Sequence, residues 1–261
     1  MDAQNKYRRI VIKVGSNVLT RPDGTLDTTR MSALTDQLAA LHRAGVEVIL
    51  VSSGAVASGR NELKTQRKLD SVSARQLFSA VGQVKLLNRY YDLFNEYGIA
   101  CGQVLTTKES LSTRRQYLNQ RNCMEAMLAA GVVPIVNEND TISVTELMFT
   151  DNDELSGLVA AMMGAEALVI LSNIDGIYDG SPAAPASQVI RRVAPGRDLS
   201  QYIDTARSSR GRGGMTTKSR ISSRVAGEGI EVVIANGRRD NILTDLILTD
   251  RDVVCTRFEA A

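Results

Sequence analysis

Apolar residues along this chain fall into short runs separated by longer amphipathic stretches. The runs Arg9–Val14, Val46–Val51, Ile99–Leu105, Val132–Val136, Ala167–Leu171 and Glu231–Ala235 are rich in Val and Ile, and most lack apolar–polar alternation. That is how strands covered on both faces of a parallel sheet read. Between them, apolar positions recur at spacings of three and four. Met31, Leu34, Leu38 and Leu41 mark a helix ended by Gly45, and Leu77, Val81, Val84, Leu87, Tyr91 and Phe94 mark another before Gly98. Met124, Met127 and Leu128 precede Gly131; Leu155, Leu158, Val159 and Met162 form a further face, as do Ile221 and Val225. Glycine just beyond the last periodic residue is a common helix stop. Strand–helix alternation over the whole length predicts an α/β protein with an open, mainly parallel sheet and helices on both faces. Two stretches break the rhythm. Residues 141–150 (TISVTELMFT) alternate weakly and read as a hairpin, and residues 175–187 (DGIYDGSPAAPAS) read as a lid or a boundary between halves.

Ligands of open parallel sheets bind beyond the C-terminal ends of the strands. The residues there are Gly15-Ser16-Asn17, Ser52-Ser53-Gly54-Ala55, Asn137-Glu138-Asn139-Asp140, Ser172-Asn173 and Asn236-Gly237, almost all small or polar. Lys13 lies inside the first apolar run. A lysine in a buried strand is costly unless it meets an anion, whereas on an edge strand it would simply reach water. SSGAVASG offers hydroxyls and a glycine where a helix begins, suited to a carboxylate, a phosphate or an ordinary cap. Asp151, Asn152 and Asp153 precede a helical run; one of them serves as a cap, and three exceed what a cap needs. Acids so placed orient lysines or reach a hydrated Mg²⁺.

RGRGGMTTKSR (210–220) is neither GxxxxGK[ST] nor GxGxxG. It leads into a helix, so Gly213, Gly214, Thr216 and Lys218 supply N–H groups, a hydroxyl and an ammonium at its start, the parts of a phosphate site. One arginine–glycine unit without aromatics is a poor RNA-binding segment, and Arg210 and Arg212 receive no catalytic role. Two lysines and an acidic cluster at strand ends point to phosphoryl transfer, where catalysis is mostly positioning and charge stabilisation. A carboxylate acceptor fits best, because it is already anionic at neutral pH and needs no base.

Composition narrows the alternatives. The chain has 261 residues, 43% of them hydrophobic, enough for one large α/β domain or two small ones. Lys and Arg total 31 against 29 Asp and Glu, so no global field attracts nucleic acid or an anionic membrane. The start is polar, without the apolar stretch of a signal peptide, and no apolar run reaches the roughly 18 residues of a membrane span. Cys101, Cys123 and Cys255 show no metal spacing and read as buried free thiols in a reducing cytoplasm. A single histidine, His42, excludes a His-based triad.

IKVGSNVL, VSSGAVASGR, AVGQ, PIVNENDT, DNDELS, LSNIDGIY and GRGGMTTK stand here in an order that resembles the amino acid kinase family, specifically its glutamate 5-kinase branch. The resemblance covers essentially the whole chain. It implies a single kinase domain over 1–261, a three-layer αβα sandwich with an amino-acid-binding half over about 1–165 and a nucleotide-binding half over about 166–261. It implies ATP-dependent phosphorylation of the γ-carboxylate of L-glutamate with Mg²⁺, in the cytoplasm, as the first step of proline synthesis. Lys13, Asp153 and Lys218 would be catalytic. Ser53, Gly54, Asp140 and Asn152 would bind glutamate. Lys13, Ser172, Asn173, Gly213, Gly214, Met215, Thr216, Thr217 and Lys218 would bind ATP, and no protein metal ligand is assigned. Feedback inhibition by proline, a homo-oligomer and contact with glutamyl phosphate reductase follow from the same resemblance, as does the expectation of a short form without the C-terminal RNA-modification-type (PUA) domain. Asn173 replaces the family's usual Asp, and Thr150 its common Gly. A kinase of an aspartate-like carboxylate and a non-catalytic sensor on the same fold are the competing readings.

Overall fold

The computed structural model describes residues 6–63, 69–143, 149, 151–182, 184–202, 214–249 and 251–261. Its sheet contains β1 (Arg9–Val14), β2 (Glu47–Val51), β3 (Cys101–Thr106), β4 (Val133–Glu138), β5 (Ala167–Ser172), β6 (Arg192–Val193), β7 (Glu231–Asn236) and β8 (Thr256–Phe258). They run in the order β3-β4-β2-β1-β5-β7-β8-β6, and only the β7–β8 pair is antiparallel. The six strands expected from the apolar runs are all present, shifted by up to two residues. β6 and β8 are two and three residues long, too short to leave a pattern in the sequence.

The helices are α1 (Ser16–Leu19), α2 (Thr28–Arg43), α3 (Ala55–Glu62), α4 (Ser71–Asn95), α5 (Lys108–Ser112), α6 (Arg114–Ala129), α7 (Asn152–Met163), α8 (Met215–Gly227) and α9 (Ile242–Ile247). Strand alternation sorts them into layers. Ile10, Ile12 and Val14 of β1 point into one core with Leu34 and Leu38 of α2, Tyr90 and Phe94 of α4, and Leu246 of α9. Val11 points the other way, into a second core with Leu155 and Val159 of α7 and Ile221 and Val225 of α8. The result is a three-layer αβα sandwich. Because the period is two, Lys13 shares the face of Val11, so its stem heads toward α7 and α8.

β1 is central, with Lys13 in register with Val51 on one side and Ile170 on the other. Lys13 is 4% exposed. The edge-strand alternative for this residue is therefore excluded. The chain fills one side of β1 with β2, β4 and β3 before crossing to β5 on the other, so the C-terminal end of β1 lies at a switch point of the sheet, where a crevice opens.

Residues 175–187 do not separate two sheets. The stretch folds back on itself, with Asp179 N donating to Gln188 O and Ile190 N donating to Ile177 O. The hairpin expected at 141–150 lies largely outside the described residues. Cys255 is buried and Cys101 half-buried, but Cys123 is exposed, since α6 turns only Met124 fully inward. Burial pushes the Cys101 thiol up to about 11. No helix among the described residues is long and apolar enough to cross a membrane.

α3 and α4 cross at a pair of glycines. A Cβ on Gly82 would sit 1.8 Å from Ala55 O, and one on Gly59 would sit 1.8 Å from Phe78 O. Only backbone fits there, and this close approach fixes the start of α3 against the middle of α4. Gly82→Ala is expected to destabilise the fold by about 2–3 kcal/mol in urea unfolding. Gly227→Ala, at the open end of α8 with nothing within 4 Å, is expected to be neutral or to stabilise by up to about 1 kcal/mol.

Candidate active site

The crevice beyond β1 is a cleft of about 1120 Å³. At one end three charges meet. Lys13 Nζ lies 2.6 Å from Asp153 Oδ1, and Lys218 Nζ lies 2.7 Å from Asp153 Oδ2. Asp153 is fully buried and both lysines nearly so. Burial by itself would lift the Asp153 carboxyl, but the Lys13 and Lys218 ammonium groups outweigh it and hold it down at about 2. Each oxygen takes one lysine, so the carboxylate fixes two cations side by side that would otherwise repel. Two ammonium groups thus stand together at this end of the cleft, which suits an anion; Asp151 adds a second carboxyl beside them.

Local sequence explains the placement. Asp151 caps α7, its Oδ1 accepting from Asp153 N (2.9 Å) and Glu154 N (3.1 Å). With the cap taken by Asp151, the Asp153 side chain is left for the lysines. Burial, and next the Asp153 charge, push the Asp151 carboxyl up against the pull of Lys13. Its Oδ2 is buried and accepts no hydrogen bond among the described residues. α8 begins without a side-chain cap, since Gly214 has none to offer. The N–H groups of its first turn lack intrahelical acceptors, and Gly214, Met215 and Lys218 line the cleft. Gly15 closes on β5, its N–H donating to Leu171 O at 3.1 Å; a Cβ there would approach that oxygen to 3.2 Å.

The middle of the cleft is built from amides. Asn152 Nδ2 donates to Ser52 O (2.6 Å), Ser53 Oγ (2.9 Å) and Asn137 Oδ1 (3.0 Å). Asn137 Oδ1 also accepts from Glu138 N (2.9 Å), and Asn137 Nδ2 donates to Gln83 Oε1 (2.9 Å). These orientations follow from the backbone. A carbonyl only accepts, so Ser52 O requires the NH₂ of Asn152; an N–H only donates, so Glu138 N requires the oxygen of Asn137. The Asn152 carbonyl is thereby turned away and left for the cleft. Gly54, with φ of 99°, begins α3 in the left-handed region that favours glycine. It places Ser53 and the uncapped start of α3 at the cleft wall.

At the other end, Arg75 of α4 reaches Asp140 and Glu138. Its Nε donates to Asp140 Oδ1 at 2.6 Å and its Nη2 to Glu138 Oε2 at 2.9 Å. Burial, then the Asp140 charge, push the Glu138 carboxyl up, opposed by Arg75 and the Phe149 N–H.

Of the residues singled out from sequence, Lys13, Ser53, Gly54, Asp140, Asn152, Asp153, Ser172, Asn173, Gly214, Met215 and Lys218 all line this one cleft. Asn173 sits exposed at its rim. Thr216 and Thr217 lie in the first turn of α8 but outside the lining; Thr216 faces out because helical spacing turns Lys218 inward. Gly213, Arg210, Arg212 and Thr150 fall outside the described residues. Asn137, Glu138, Asp151 and Arg75 join the site without having been assigned to it. The first three stand in the polar motifs after β4 and before α7, so position alone flagged them. Arg75 is one polar residue in a long amphipathic helix and carries no such signal.

Comparison with known proteins agrees with this architecture. Residues 8–236 match the family model described as the amino acid kinase family. A glutamate 5-kinase from Bacteroides thetaiotaomicron is 69% identical over 98% of this chain and 71% of its own length. A glutamate 5-kinase from Symbiobacterium thermophilum is 43% identical, with 92% of each protein covered. Among solved structures, UMP kinase from Ureaplasma parvum superposes with a TM-score of 0.66 at 17% identity, covering 97% of this chain and 99% of that one. Isopentenyl phosphate kinase gives 0.67 at 16% identity, covering 96% and 99%. Those two likenesses establish the fold, and the family model with the close relatives establishes descent: the chain belongs to the amino acid kinase family.

Proposed function

We propose that this protein transfers the γ-phosphoryl group of ATP to the γ-carboxylate of L-glutamate, forming γ-glutamyl phosphate and ADP, the first step of proline biosynthesis. The observation that carries the reading is the pair of buried lysines held by one buried carboxylate beside an uncapped helix start. The 69% identity to a glutamate 5-kinase supports the choice of acceptor.

In this reading a γ-carboxylate oxygen attacks the γ-phosphorus, the bond to the β–γ bridging oxygen breaks, and ADP carries that oxygen away. The nucleophile is already ionised, which accords with a site built without a histidine base. Negative charge spreads over the equatorial phosphoryl oxygens as the bonds exchange. Lys13 and Lys218, fixed beforehand by Asp153, meet that charge without reorganising, which is where electrostatic catalysis gains most. The N–H groups at the start of α8, from Gly214 onward, take phosphate oxygens of the nucleotide. Ser172 and Asn173 lie on the nucleotide side, residues of about 166–261, and the amino acid occupies the half formed by about 1–165. There the Asn152 carbonyl and Asp140 accept from the substrate ammonium, while Ser53 and the start of α3 donate to a carboxylate.

Mg²⁺ fits the same end of the cleft. The Asp151 Oδ2 atom is a buried carboxylate oxygen with no hydrogen-bond partner among the described residues, a donor of the hard type Mg²⁺ prefers. No group of three or more ligating side chains gathers among the described residues; Asp151 would hold the ion together with oxygens of the nucleotide. When bound, the ion neutralises phosphate charge. The labile acyl phosphate makes direct hand-over to the reductase that consumes it part of the same proposal.

Incubation with ATP, Mg²⁺ and L-glutamate in the presence of hydroxylamine is expected to give γ-glutamyl hydroxamate. Product from aspartate but none from glutamate would move the acceptor to a different carboxylate. Lys218→Ala is expected to keep the fold by circular dichroism and to lower kcat by about 10³-fold or more. A kcat near that of the wild type would refute the role of Lys218.

A further inference from the structure

The end of the cleft remote from the lysines carries its own charge imbalance. Arg75, Glu138 and Asp140 line it together. Glu138 and Asp140 are buried, and the Arg75 side chain is 16% exposed. Glu138 Oε1 also accepts from Phe149 N at 3.1 Å, and Asp140 Oδ2 accepts from Ser79 Oγ at 3.3 Å. Of the described charged groups that make this cluster, one is positive and two are negative. Buried charge without a counter-ion is costly, and an ion pair kept in such a place contributes little to stability by itself. Among the described residues the cluster is short of one cation. At the opposite end Lys13 and Lys218 set two ammonium groups side by side. The cleft therefore carries a lysine pair at one end and a carboxylate pair at the other, as a molecule with a reacting carboxylate at one end and an ammonium at the other requires.

We infer that Glu138 and Arg75 are positioning residues that make the site specific for an α-amino acid, acting through Asp140. The inference rests on the proposed glutamate kinase activity. Glu138 holds Arg75 through its Nη2, so Asp140 can turn to the substrate ammonium while the guanidinium stays in place. Glu138 supplies the surplus negative charge without touching the substrate; Arg75 keeps that surplus at one and aims the Asp140 carboxylate into the cleft.

The test compares glutamate with glutarate, which keeps the reacting carboxylate and lacks the ammonium, in the hydroxamate assay. Glu138→Gln retains volume and one acceptor oxygen, enough for either Phe149 N or Arg75 Nη2 but not both, while removing the charge. It is expected to lower the ratio of kcat/KM for glutamate over glutarate by at least about ten-fold, through the KM for glutamate, with the KM for ATP within about two-fold of the wild type. Arg75→Lys keeps the charge count but loses the guanidinium fork, and is expected to lower the ratio by a smaller factor than Glu138→Gln does. A Glu138→Gln variant that keeps the ratio would overturn the inference, and so would an Arg75→Lys variant that loses as much as Glu138→Gln. A wild-type protein that forms no hydroxamate from glutamate would sink the kinase reading as well. A working wild type with an unchanged ratio in Glu138→Gln would sink this inference alone.

Discussion

The site depends on one carboxylate bonding two ammonium groups out of water. Asp153 offers an oxygen to each of Lys13 and Lys218, and neither lysine has a reason to be buried without it. The contact joins three elements from distant parts of the chain: the central strand β1, the start of α7 and the start of α8. As a source of stability the arrangement is poor, because three charges lose their hydration for two ion pairs. As a receptor it is ready-made. Both ammonium groups are fixed before any ligand arrives, so a phosphoryl group gaining charge meets cations that need not move.

Everything around that contact serves to present it. The two-residue period of β1 sends Lys13 to the face of α7 and α8, while its neighbours Ile12 and Val14 pack the other core. Asp151 takes the cap of α7 and leaves Asp153 free. The missing cap of α8 leaves N–H groups beside Lys218. On the other side, the glycine crossing of α3 and α4 sets Ser53 at the cleft wall and Gln83 behind it against Asn137, and backbone groups at Ser52 and Glu138 dictate which way Asn152 and Asn137 face. The fold thus sets donors and acceptors at the middle of the cleft through groups that cannot change their own polarity.

Much of this was legible in the sequence because its physical signals are local. Val- and Ile-rich runs announced six strands, and the small polar residues after them announced the cleft. Lys13 was conspicuous as a charge inside an apolar run, and its central position in the sheet turned that oddity into a counter-ion requirement. The short strands β6 and β8 carried no period long enough to read. Arg75 was hidden for a different reason: a polar residue on a 25-residue amphipathic helix is what solvent exposure produces, and only the fold reveals that this one faces Glu138 and Asp140. Thr216 and Thr217, expected at the nucleotide phosphates from the resemblance, stand in the first turn of α8 and outside the residues that line the cleft.

The most direct test of the account is the affinity for a mimic of the transferring phosphoryl group. Calorimetry would compare binding of MgADP alone with MgADP, aluminium fluoride and glutamate together, in the wild type and in Asp153→Asn. A carboxylate that fixes both lysines for the transition state predicts that the fluoride complex binds at least about 100-fold more tightly than MgADP to the wild type, and that Asp153→Asn loses this excess while keeping its affinity for MgADP. An Asp153→Asn variant that binds the fluoride complex as tightly as the wild type would contradict the account.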